Sequence, residues 1–147
     1  MSRAGDAKMK TKTKREAVLV VLLLGAPVAA AAAPDCANPQ DQATMNACAA
    51  RAYAKSDADL NRTYKTLIAR LKNDADAARR LTAAQHAWIA FRDAECAFAS
   101  AGSAGGSANA MVRAGCLDKQ TRARTAALNG YLHCEEGDLS CPAPPAD

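Results

Sequence analysis

The chain has 147 residues, half of them hydrophobic but only 4% aromatic, with 19 basic and 15 acidic side chains and a formal net charge of +4. That charge is local: six of the bases and two of the acids fall in the first 31 residues, leaving thirteen of each behind them. With the remainder neutral, net charge no longer points to nucleic acid or an anionic membrane as a partner, and the length allows one modest core.

The first segment reads as an export leader. Met9 to Arg15 is MKTKTKR, Ala17 to Gly25 is AVLVVLLLG, and Ala29 to Ala33 is a run of alanines. Basic, then apolar, then small is the order of a secretory signal. It predicts a signal peptide over 1–32, cut after Ala31 or Ala32 because Pro34 disfavours cleavage directly before it. Met9 makes a more usual start than Met1. The apolar run falls short of the ~20 residues of a membrane helix, and Ala33-Pro34-Asp35 before Cys36 does not suit a lipoprotein signal. The expected product is periplasmic or secreted, with no stable membrane anchor after cleavage. All six cysteines (36, 48, 96, 116, 134 and 141) follow the leader. An even count in a small exported chain predicts a disulfide framework, each bridge adding roughly 2–4 kcal/mol. No CxxC pair occurs, so neither a zinc ribbon nor a thioredoxin-like pair is indicated.

The rest reads as three helices. Asn38-Pro39 offers a cap and a first-turn proline, with Thr44 as an alternative cap. Met45, Cys48, Ala52, Ser56, Leu60, Tyr64, Leu67 and Leu71 recur at steps of three and four, the period of one buried helical stripe. The first helix is expected over about 40 to 72. Asn73 to Asp76 is a polar break with capping side chains. A second helix follows over about 75 to 101, its stripe Leu81, Ala84, Trp88, Phe91, Glu95 and Phe98. So short a connection makes the two helices antiparallel neighbours. AGSAGGS (101 to 107) is a glycine-rich loop without the spacing of a phosphate-binding motif. The third helix is expected over about 108 to 132, with Met111, Ala114, Leu117, Thr121, Leu128 and Tyr131 inward and the arginine-rich stretch 113 to 124 as its solvated face. The tail has few apolar groups, and Cys134 with Cys141 closes it into a small loop.

Little here suits catalysis. His86 and His133 are the two imidazoles, and neither has a partner motif for nucleophilic chemistry. Asp57 and Asp59 are two apart and do not share a helix face. His133, Cys134, Glu135, Glu136, Asp138 and Cys141 offer mixed ligands, but their spacing matches no zinc site and they supply few oxygens for calcium. No cofactor or metal is expected. The densest cluster is in LTAAQHAWIAFRDAECAF (81 to 98), which holds the one tryptophan and both phenylalanines. Gln85, Trp88, Arg92 and Cys96 lie along one side of that helix, and Arg92 is placed to lie near Trp88. It is also in reach of Glu95, or of Asp57 or Asp59 on the first helix. Two readings follow: a helix seam with Trp88, Phe91 and Phe98 filling it, or an exposed binding surface.

These residues carry a resemblance. Met45-Asn46-Ala47-Cys48, Asp59-Leu60-Asn61 with Tyr64, the run AQxAWxxFRDxxC from Ala84 to Cys96, Gly105-Gly106-Ser107, Cys116-Leu117, Thr121, Arg124 and Leu128 together resemble the LprI-type lysozyme inhibitor N-terminal domain family. His86 stands where that family often has arginine. The resemblance covers about 36–132 and implies an all-α, disulfide-linked exported domain; the residues themselves give it an antiparallel two-helix hairpin plus a third helix, with a disulfide-closed acidic loop and proline-rich tail over 133–147. It implies a non-catalytic binding protein whose partner is a lysozyme-like glycosidase. The alternative is a periplasmic structural or stress factor with an unknown protein partner. Glu135, Glu136 and Asp138 are the candidate contacts, with Gln85, Arg92 and Asp93 on the helical surface. Cys36, Cys48, Cys96 and Cys116 fall at one end and allow three pairings. Cys36–Cys48 with Cys96–Cys116 is preferred, although a helix unbroken from Pro39 would carry Cys48 ~14 Å along its axis, so that Cys36 must fold back to meet it.

Overall fold

The computed structural model describes residues 33–135 and 137–143. The expected leader and Glu136 lie outside them. Three α-helices follow one another, α1 (Gln42–Arg70), α2 (Ala75–Ala99) and α3 (Asn109–Leu132), with one 3-10 turn at Ala101–Ser103. Among the described residues there is no strand, and no helix is long and apolar enough to cross a membrane.

The cap of α1 is Asp41, not Asn38. Its carboxylate accepts from the Thr44 N–H at 2.7 Å and from the Thr44 hydroxyl at 2.8 Å. These bonds favour the charged form and hold the Asp41 carboxyl below its ordinary 3.8. The later start also lets Cys36 reach Cys48: residues 33–40 are not helical, and the bridged Cα atoms sit 5.5 Å apart. Asp74 caps α2 through the Ala77 N–H at 2.9 Å. The glycine loop turns at Gly105, whose φ of 77° suits a residue without a Cβ. Asn46 on α1 ties the loop's end by donating to the Ser107 carbonyl at 3.0 Å.

The helices run up, down, up. Gln42 meets Met111 at one end, and Arg70 donates to the Leu132 carbonyl at 2.6 Å at the other, so α1 and α3 are parallel. Tyr64 bonds Thr82 and Arg92 faces Asp57, so α2 is antiparallel to α1 as expected. The closest backbone pairing is nevertheless α1 with α3. Ser56 and Thr121, both small, are buried on those two helices. The indole of Trp88 and the guanidinium of Arg92 project from α2 across the remaining gap.

The inward face of α2 differs from the expected stripe by about one residue position. Gln85, Arg92 and Cys96 are buried, whereas Phe91 is 56% and Phe98 79% exposed. The Cys96–Cys116 bridge and the polar partners of Gln85 and Arg92 hold that edge against α3 and α1. The two phenylalanines therefore do not fill the seam. The apolar core is Leu60, Leu67, Leu71, Leu128 and Ala143, with Trp88 partly buried against it. Ala143 belongs to the tail, which folds back onto the bundle beyond the Cys134–Cys141 bridge.

Candidate functional site

Arg92 of the FRD run, with its partners, builds the interior polar centre of the bundle. Arg92 is 8% exposed. Its Nε donates to Asp93 at 2.9 Å, and its Nη1 lies 3.6 Å from Asp57 on α1. Its carbon Cζ lies 5.1 Å from the Trp88 ring centre and 5.7 Å from that of Tyr53. Arg124 of α3 approaches Trp88 at 6.0 Å and donates to Gln85 at 3.0 Å. Two guanidiniums and two rings thus join three helices, each cation–π contact adding about 0.5–2 kcal/mol depending on desolvation. Burial pushes the Tyr53 phenol up, although Arg92 opposes the shift. Gln85 and Arg92 are engaged inside the protein, and Asp93 stands half-exposed at the edge of the cluster. The arginine partners are Asp57 and Asp93, not Glu95 or Asp59.

A groove of about 390 Å³ separates the outer edges of α1 and α3, lined by Lys55, Asp59, Asp118 and Arg122 among others. The stretch 113 to 124 is only partly a solvated face, because Asp118 within it is 6% exposed and pairs with Arg122. Lys55 and then Arg62 hold the Asp59 carboxyl below its ordinary range. The pairs Lys55–Asp59 and Arg122–Asp118 thus form charged walls on the two sides of the groove. Asp118 was not legible in the sequence, where it reads as one more charge in a basic run.

The acidic loop is closed by Cys134–Cys141, with Cα atoms 5.7 Å apart. Gly137 turns it at φ 85°. Asp138 accepts from the Ser140 N–H at 2.8 Å and its hydroxyl at 2.6 Å, which holds the carboxyl below 3.8. Glu135 is exposed, and Leu139 projects wholly into solvent beside it. Buried Ala143 anchors the loop from its far side. Glu135 and Asp138 therefore share one constrained surface, some distance along the chain from the Arg92 cluster, and Leu139 is a member that sequence reasoning passed over. No group of three or more His, Cys, Asp or Glu side chains among the described residues is placed to hold a metal.

Residues 35–128 match the family model described as lysozyme inhibitor LprI. An uncharacterized protein of Rhizobium meliloti (strain 1021) is 38% identical over 114 residues, covering 70% of this chain and 82% of the relative. No solved structure matches. Three disulfides with no free cysteine among the described residues suit an oxidising compartment. The matched span runs from the residue before the first bridged cysteine to the last buried leucine of α3, and on that span the chain belongs to the lysozyme inhibitor LprI family.

Proposed function

We propose that the protein is exported to the periplasm or beyond and there binds and inhibits a lysozyme-type cell-wall glycosidase without doing chemistry itself. The family match over residues 35–128 carries this reading. Lysozymes are commonly basic, and their cleft holds two catalytic carboxylates. Glu135, Glu136 and Asp138 would oppose the basic rim, and Leu139 would add an apolar contact among them. A loop closed by a disulfide loses little freedom on binding, which favours affinity. Charge at such a rim acts chiefly on encounter and is screened by salt. In this reading Gln85 and Arg92 act by holding the helices, and Asp93 stands half-exposed at the edge of their cluster, apart from the acidic loop.

The test is a lysozyme activity assay with the oxidised chain lacking residues 1–32. Inhibition should weaken as salt rises. The combined variant Glu135→Gln, Glu136→Gln, Asp138→Asn should inhibit at least about tenfold less well and show a flatter salt dependence, with an unchanged helical spectrum. The asparagine retains an oxygen for Ser140. Full activity of several lysozyme classes in micromolar excess of the protein would remove the inhibitor assignment. Equal inhibition by the triple variant would remove the acidic loop from it.

A further inference from the structure

The outer face of α2 is apolar for four turns and covered by nothing in the described chain. Ala84, Ala87, Phe91, Ala94 and Phe98 are all exposed and follow one another at steps of three, four, three and four. That is the narrow seam of a coiled coil rather than the broader stripe of a helix lying on a core. On one flank Ala83, Ala90 and Ala97 are exposed alanines as well, and on the other Trp88 and Glu95 are half-buried. The small flank allows a second helix to approach closely, and an exposed apolar patch of this kind marks a protein contact.

We propose that a second copy of this chain covers the face, with the two α2 helices packed antiparallel about a two-fold axis. The order of large and small residues carries the assignment. In such a pair, positions whose residue numbers add to one constant face each other. With Phe91 set against Ala94 of the second copy, Phe98 falls against Ala87 of the second copy, and the symmetry repeats both contacts. Each ring then faces a methyl group, and no layer holds two rings. The same register sets Ala84 against Ala101, which is exposed at the start of the 3-10 turn. A single patch that is complementary to itself under rotation is what an isologous dimer requires. Charge does not oppose the pairing, because the seam carries none and residues 32–147 hold equal numbers of acids and bases. Four aromatic rings with their flanking alanines would bury about 1,000 Å² in total, near the lower limit of specific interfaces, so the dimer forms in a concentration-dependent way. This inference is independent of the glycosidase reading.

Sedimentation equilibrium of the oxidised chain lacking residues 1–32 tests it. The parent should pass from monomer to dimer as concentration rises through the micromolar range. Phe98→Ser should weaken the dimer at least about tenfold with the helical spectrum and melting of the monomer retained, since that ring is 79% exposed. Ala87→Phe alone should also give a monomer, because two rings then compete for one layer. The double variant Ala87→Phe, Phe98→Ala exchanges the large and small partners and should restore the dimer. A parent that stays monomeric at millimolar concentration overturns the proposal, even if Phe98→Ser impairs glycosidase inhibition. A double variant no better associated than its two single parents overturns the antiparallel register.

Discussion

The two halves of the bundle are held together by different means. Around the α1–α2 turn and the end of α3, the buried residues are leucines, Leu60, Leu67, Leu71 and Leu128, closed over by Ala143. Toward the glycine loop they are Ser56, Arg92, Cys96, Ser100, Asp118 and Thr121. The Thr121 hydroxyl there is buried with no hydrogen-bond partner. That second half also carries the Cys36–Cys48 and Cys96–Cys116 bridges. A small chain with few large apolar side chains fills one end by hydrophobic burial. At the other it substitutes covalent staples and paired charge, which lower the freedom of the unfolded chain or orient the helices without adding much apolar area.

The largest expected loss is in the leucine half. Leu67 is 1% exposed, so Leu67→Ala should cost about 4 kcal/mol, toward the top of the range for leucine truncation. Urea unfolding measures it, and a loss below about 1 kcal/mol would show that the leucines are not the dominant core. Next comes the stapled half. Replacing Cys96 and Cys116 together by alanine opens a loop with a sequence separation of 20 and should cost about 3 kcal/mol. Amide exchange in that variant should rise first in the glycine loop and the start of α3, while α1 from Leu60 onward stays protected. Uniform loss of protection would mean that the halves do not behave separately.

Arg92 offers a sharper contrast at smaller amplitude. Its partners Asp57 and Asp93 keep 39% and 48% of their side chains exposed, so water can solvate them once the guanidinium is gone. Arg92→Met should therefore lose chiefly the two cation–π contacts, about 1–2 kcal/mol, whereas Arg92→Ala, which also removes the packed stem, should cost about 3–4 kcal/mol. Equal losses in the two variants would place the stabilisation in the charge instead. The smallest effect concerns the cap. The Asp41 carboxyl is depressed below 3.8 in the folded state. It therefore adds stability that is complete above the unfolded value and lost as pH falls through the folded one. Melting followed downward from about pH 5 should show a decline that is reduced in Asp41→Asn. An identical acid profile for the two proteins would remove Asp41 as a contributor.

Periodicity and turn chemistry were enough to read the helices. Apolar steps of three and four from Met45 to Leu71, the polar break at Asn73 and Asp74, and the glycines after Ala101 brought each expected helix within about two residues of its observed ends. The AQxAWxxFRDxxC run carried the family resemblance, and the even cysteine count carried the framework. These signals are local, set by backbone propensity and by spacing along one helix, and a sequence displays them directly.

Rotation of α2 was a different matter. Its stripe through Phe91 and Phe98 was as regular as the true one through Gln85, Arg92 and Cys96, and hydrophobicity favoured the wrong choice. What turned the helix was a bridge to Cys116, a hydrogen bond from Arg124 and an ion pair with Asp57, all from residues distant in the chain. The burial of Asp118 and Ala143 has the same origin. Each depends on which surface of another element lies opposite, and a periodic pattern on one helix holds no record of that. Element type and family were therefore determined by the sequence alone. The facing of α2, and with it the exposed Phe91–Phe98 seam, was decided only when the three helices packed, because the groups that turn it come from α1 and α3.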